Sequence, residues 1–149
     1  MKKTVLTGAV LLLPLLASAA LPTGEPFAQF KTMKGSRKVD TERYVTVYVK
    51  SDKPSGEVYF QIGNTDKVDT LKITKANTLT KYEKKNLTAD QVDVRIWGNS
   101  DIWFLNVNGN DAYDLSLGQT AKDNIREFRC ENDSLSDLSC VNDMKKLEY

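Results

Sequence analysis

A chain of 149 residues, 40% hydrophobic and 28% charged, has enough apolar material for one modest core. Its 21 basic and 20 acidic residues leave a formal net charge of +1, which supplies no field for holding a polyanion. The absence of histidine excludes the commonest general base, the usual zinc ligand and any Ser-His or Cys-His nucleophile.

The chain opens with Lys2 and Lys3, an apolar run over residues 10–16 and then Ala17-Ser18-Ala19-Ala20. That is the positive n-region, h-region and A-x-A site of a cleavable secretion signal, with cleavage expected after Ala19 or Ala20. The run is too short for a spanning helix and is broken by Pro14, so no membrane insertion is expected after cleavage. No cysteine stands at the processing site to accept a lipid. The expected location is secreted, periplasmic or cell surface. Losing Lys2 and Lys3 leaves 19 basic residues against 20 acidic ones. The local Lys/Arg clusters at 31–38 and 81–85 are not interleaved with aromatics, so they read as solvated faces and no nucleic-acid partner is expected.

Residues 21–40 read as a lead-in without clear periodicity. From Arg43 the pattern turns to period two: Val45, Val47 and Val49 alternate with Tyr44, Thr46, Tyr48 and Lys50. This is the pattern of a half-buried strand. Pro54 and Gly56 mark a turn, after which Val58, Phe60 and Ile62 alternate with Glu57, Tyr59 and Gln61. Gly63-Asn64 marks the next turn, and a third run follows over 68–73. Connections this short predict an antiparallel meander, or a small β-sandwich, over residues 41–91. Residues 74–90 are polar with isolated Leu79, Tyr82 and Leu87, and read as loop. Val92, Val94 and Ile96 alternate again and lead into Trp97-Gly98-Asn99.

An internal repeat begins there. At an offset of 23 residues, Ile102, Leu105, Val107, Asn110, Ala112, Leu115 and Leu117 align with Ile125, Phe128, Cys130, Asp133, Leu135, Leu138 and Cys140. Leu147 falls 22 residues after Ile125, where a third copy would begin. Both copies fit L-x-x-L-x-L-x-x-N-x-L, the leucine-rich-repeat template, in which a short strand turns alternate residues inward. Leu105 and Val107 would then stack on Phe128 and Cys130 as parallel rungs. The amide at the Asn position satisfies backbone groups where the chain bends. Asn110 suits that role; Asp133 can accept those hydrogen bonds but cannot donate. Two strand pairs that happen to share a spacing would produce the same alignment.

Two stretches carry a resemblance: Val94-Arg95-Ile96-Trp97-Gly98 running into Ile102-Trp103-Phe104-Leu105, and Phe128-Arg129-Cys130-Glu131-Asn132-Asp133-Ser134-Leu135. They resemble the leucine-rich-repeat surface and secreted proteins of Bacteroidota, often called BspA-like. The resemblance covers about 92–149. It implies a signal peptide, a β-rich lead-in and repeats with Cys at an inward strand position. Such families run through several repeats and a cap, and about three repeats are normally needed for stability. The expectation is therefore a truncated solenoid, or two coils capped by the β-rich part.

The expected organisation is a signal peptide over 1–20, a lead-in over 21–40, a β-rich domain over 41–91 and repeat coils over 92–149. Carboxylates are scattered without a glycosidase-like frame, and Asn106-Val107-Asn108-Gly109-Asn110-Asp111 lacks the spacing and distal Glu of a calcium loop. No enzyme, cofactor or metal is expected. Cys130 and Cys140 fall at inward template positions and read as two buried thiols. Trp97 and Trp103 could stack on a sugar or cover a core edge. The strand face of the repeat supplies the candidate binding strip: Phe104, Asn106 and Asn108 from one coil, Glu127, Arg129 and Glu131 from the next. The expected function is an exported, non-catalytic protein-interaction module. The alternative is a glycan-binding β-domain using Tyr44, Tyr48 and Tyr59 as one face.

Overall fold

The computed structural model describes residues 20–33, 43–54, 56–131 and 133–148. All but the last residue of the signal peptide expected at 1–20, and most of the basic cluster at 31–38, lie outside them. The fold is mainly β: nine strands, one short α-helix and a one-turn 3-10 helix are present among the described residues.

Two sheets pack on a common core. The first runs in the order β4 (Asp69–Ile73), β3 (Gly56–Ile62), β6 (Gln91–Trp97), β1 (Ala28–Met33), β8 (Ala112–Leu117), all antiparallel. The second runs β5 (Thr80–Lys84), β2 (Val45–Ser51), β7 (Ile102–Asn106), β9 (Glu127–Arg129). Its last pair, β7 with β9, is parallel, and the others are antiparallel. Helix α1 (Gln119–Asn124) joins β8 to β9. Alternating residues point inward from both sheets, with Phe30, Val58, Phe60, Val94 and Ile96 meeting Val45, Val47, Val49 and Leu105. Phe60 and Tyr82 stack across the core with ring centroids 3.8 Å apart.

The three expected strands all form, yet they do not make a meander. β2 lies between β5 and β7, whereas β3 crosses to the other sheet. Period-two alternation reports which face of a strand is buried, not which strand lies beside it. The turn after β2 is tied elsewhere: the Asp52 N–H donates to the Asp101 carbonyl, 2.9 Å away. Within residues 74–90, expected as loop, β5 forms as an edge strand. Its alternation is weak because Tyr82 is its one buried side chain, while Lys81, Glu83 and Lys84 face solvent as edge-strand charges. The lead-in contains β1, a central strand whose buried residues Ala28, Phe30 and Thr32 include a polar one that breaks the apolar signal. A boundary at residue 92 does not separate two cores, because β6 hydrogen-bonds β3 on one side and β1 on the other.

Gly118 shows how closely the N-terminal segment packs. A Cβ there would lie 2.2 Å from the Pro26 carbonyl oxygen, and the first N–H of α1, on Gln119, donates to the Glu25 carboxylate at 2.9 Å.

Candidate functional site

The outer face of the second sheet is assembled by register. Tyr48 sits between Lys81 and Asn106, and Asn106 sits opposite Arg129. One row over, Lys50 is opposite Phe104, and Phe104 opposite Glu127. Their alternate neighbours Val47, Val49, Leu105 and Phe128 turn to the core, so all these polar residues emerge on one side. The pairs Phe104↔Glu127, Leu105↔Phe128 and Asn106↔Arg129 are each offset by 23 residues, the period of the internal repeat.

Beyond the strands the same offset continues in the turns. The Asn108 side chain accepts from the Glu131 N–H at 2.7 Å and its amide reaches the Glu131 carboxylate at 3.4 Å. The Asn106 side chain accepts from the Asn108 N–H at 2.8 Å. Asn110, 4% exposed, accepts from the Thr46 N–H at 2.8 Å and donates to the carbonyls of Thr46 and Val107. Its own N–H donates to Asp133 at 2.9 Å, and the Ala112 N–H donates to the same oxygen at 3.0 Å. Thr46, Asn110 and Asp133 thus form a ladder of side-chain to backbone bonds that locks β2, the turn after β7 and the turn after β9 together.

Of the six residues expected in the strip, Asn106, Asn108, Glu127, Arg129 and Glu131 lie along this face and its turns. Phe104 points to the same side but is only 3% exposed, so it is no free contact surface. The Lys50 ammonium sits 4.7 Å from its ring centroid and the Arg129 guanidinium 5.6 Å. Trp103 packs edge-on against it, and Arg126 lies 5.7 Å from the indole centroid. The indole N–H donates to Asn77 at 3.0 Å, while Arg126 pairs with Asp52. Lys50, Tyr48, Trp103 and Arg126 fall outside the strip that the repeat alone defines. The first two are legible as outward residues of an alternating run, but only the β2–β7 pairing places them here. Trp103 reaches the surface through the register shift between Lys50 and Ser51. Tyr48 belongs to this sheet, Tyr44 precedes its strand β2, and Tyr59 belongs to the other sheet, so the three tyrosines do not form one face.

The carboxyl of Asp133 is the electrostatic anomaly. Burial pushes it up to about 6, against the two backbone N–H donors, and its second oxygen is buried without a hydrogen-bond partner. With the folded-state pKa raised above 3.8, ionisation costs stability above about pH 6. That cost disappears as pH falls toward 4. Asp133→Asn removes the ionisable group while keeping an oxygen that can accept from the Asn110 and Ala112 N–H groups. The variant is expected to be more stable by about 1–2 kcal/mol at pH 7, discounted because the carboxyl keeps partial access to solvent. Urea denaturation at pH 7 and pH 4 checks this, and the difference should vanish at the lower pH. An equal difference at both would show that the charge is not its source.

Cys130 and Cys140 are free and half-buried, packed against the core margin. Burial first, then the Asp133 charge, pushes the Cys130 thiol up; burial does the same to Cys140. Neither is an activated nucleophile. Among the described residues no three Asp, Glu or Cys side chains gather as a metal-binding group. Comparison with protein-family models, with curated proteins and with solved structures finds no match.

Proposed function

We propose that this chain is an exported, non-catalytic protein-interaction module whose binding face is the outer side of the β5–β2–β7–β9 sheet. One observation carries the reading: Lys50 and Arg129 stand over the Phe104 ring, Lys50 and Arg126 over the neighbouring Trp103 indole, and Tyr48 lies one row over in register. Trp, Tyr and Arg clustered over a covered aromatic are the residue types that concentrate binding energy in protein interfaces. The interlocked turns hold that cluster on rigid strands, which lowers the entropy lost on docking.

We further read residues 102–149 as leucine-rich-repeat coils, in line with the resemblance to BspA-like proteins. The parallel β7–β9 pairing at the repeat offset supports this, as does the Asn110–Asp133 ladder. The start of a third layer supports it too: the Lys145 N–H donates to the Lys122 carbonyl and the Glu148 N–H to the Arg126 carbonyl. The second copy is less buried than the first, with Leu138 45% exposed, as a coil with only the start of a further layer over it would be. β8 departs from the template by pairing with β1 in the other sheet. Export rests on the signal sequence, and a secreted or periplasmic product beginning at Ala20 or Leu21 is its test.

The binding reading is tested with a photo-crosslinking residue at position 106, against a control at position 70 on the opposite sheet. Adducts to a protein are expected only from position 106, and Trp103→Ala with Arg129→Ala should reduce them at least fivefold. Equal adducts from both positions, or adducts indifferent to the double variant, would end it.

A further inference from the structure

The opposite face of the molecule carries a groove independent of the strip above. It encloses about 330 Å³ and is lined by Gln29, Phe30 and Lys31 of β1, Asp93, Val94 and Arg95 of β6, and Asp114 of β8. Register pairs Gln29 with Arg95 and Lys31 with Asp93, so four polar side chains stand in two facing rows. The fifth arrives by a bulge. Gln29 faces Ser116 and Lys31 faces Tyr113, leaving Asp114 and Leu115 opposite the single residue Phe30. Asp114 adopts φ 52, a left-handed conformation that costs an L-residue about 1 kcal/mol where glycine would be unstrained. The chain places a carboxylate there instead, and that carboxylate turns to within 2.8 Å of the Lys31 ammonium. The bulge thus re-aims a polar side chain into the concavity.

The groups in the groove limit what it can hold. Lys31 and Arg95 are balanced by Asp93 and Asp114, so neither an anion nor a cation is favoured. Together with Gln29 they offer donors and acceptors side by side, the complement of a neutral ligand dense in hydroxyls. The Gln61 side-chain oxygen accepts from Arg95 at 2.9 Å and fixes the guanidinium in place. Trp97 lies on the same face, two residues along from Arg95, with Tyr59 opposite it in register. The indole N–H donates to the Gly24 carbonyl at 3.3 Å, which anchors the ring beyond the groove's lining residues, at the next outward position of β6. The groove's volume falls within the range of small-molecule sites. We infer that this groove binds a saccharide, with hydroxyls engaged by Gln29, Asp93, Arg95 and Asp114 and a sugar face against Trp97.

The test is an NMR titration of the full ¹⁵N-labelled chain with methyl glycosides of glucose, galactose, mannose and N-acetylglucosamine and their trisaccharides. Saturable shifts are expected for at least one sugar, at about 10 mM or below, at the amides of residues 29, 31, 93 and 95 and at the Trp97 indole. Asp93→Asn and Gln29→Ala should each weaken binding several-fold and together at least tenfold. Gln29 is exposed, so its replacement leaves the fold as a sound reference. Trp103→Ala on the other sheet should leave affinity unchanged, which separates this site from the protein-binding face. No shifts with any sugar, shifts confined to the other sheet, wild-type affinity in the double variant, or equal shifts with inorganic phosphate would each overturn the assignment.

Discussion

Phe60→Ala is expected to destabilise the fold by about 3–5 kcal/mol, the upper range for a single core substitution. Phe60 is fully buried on β3, and its ring lies flat against Tyr82 of β5, in the other sheet. The stack therefore joins the sheets at a point where no backbone hydrogen bonds do so. Removing the ring leaves a cavity walled by Tyr82, which cannot collapse into it freely. The Tyr82 hydroxyl is held by Asp69 at 2.8 Å, and burial together with that bond pushes the phenol well above its ordinary pKa. Urea denaturation of wild type and variant checks the magnitude. A loss below about 1 kcal/mol would mean that the sheets hold together elsewhere. Phe60→Leu, which keeps most of the volume and forfeits the stack, should lie between the two.

Asn110→Ala is expected to cost about 2–4 kcal/mol, although it removes a polar group from a mostly apolar interior. The amide satisfies both the N–H and the carbonyl of Thr46 and the carbonyl of Val107, all in a setting closed to water. Deleting it orphans three backbone groups at once. Asn110→Asp should be no better, because the incoming oxygen would face two carbonyls where the amide donated. Denaturation of the two variants tests this together with the ladder. If aspartate at position 110 is tolerated as well as asparagine, the side chain is not donating and the ladder account fails. Asp133 differs from Asn110 in just this respect. There, 23 residues on, stands a half-buried carboxylate with one oxygen bonded and one idle.

Much of the candidate protein-binding face is legible in the sequence. The offset between Leu105 and Phe128, Asn110 and Asp133 is visible as a repeat, and the parallel pairing of β7 with β9 follows that offset residue for residue. The reason is local: strand period and turn chemistry depend on neighbours a few positions away. Phe104 departs from its expected exposure for the opposite reason. Its position in the repeat places it outward, but the covering cations come from β2 and β9, one of them 54 residues earlier. The groove is invisible in the sequence because its residues come from three strands, one of them in a segment that reads as lead-in, and because nothing in Tyr113-Asp114-Leu115 announces a bulge.

By itself, then, the sequence determined that the chain is mainly β, which residues of its clearest strands turn inward, and where two segments share a 23-residue period. Tertiary structure alone decided that β2 and β3 part company, that β1 and β6 lie side by side, and that β8 leaves the repeat to pair in the other sheet. Alternation is a property of each strand taken singly, since the pleat sends successive side chains to opposite faces whatever lies alongside. Strand order is settled by which arrangement satisfies every buried backbone group while closing both sheets over one core. That condition involves the whole chain at once. The two candidate faces depend on strand order, so their aromatic and cationic members became neighbours only when the sheets formed.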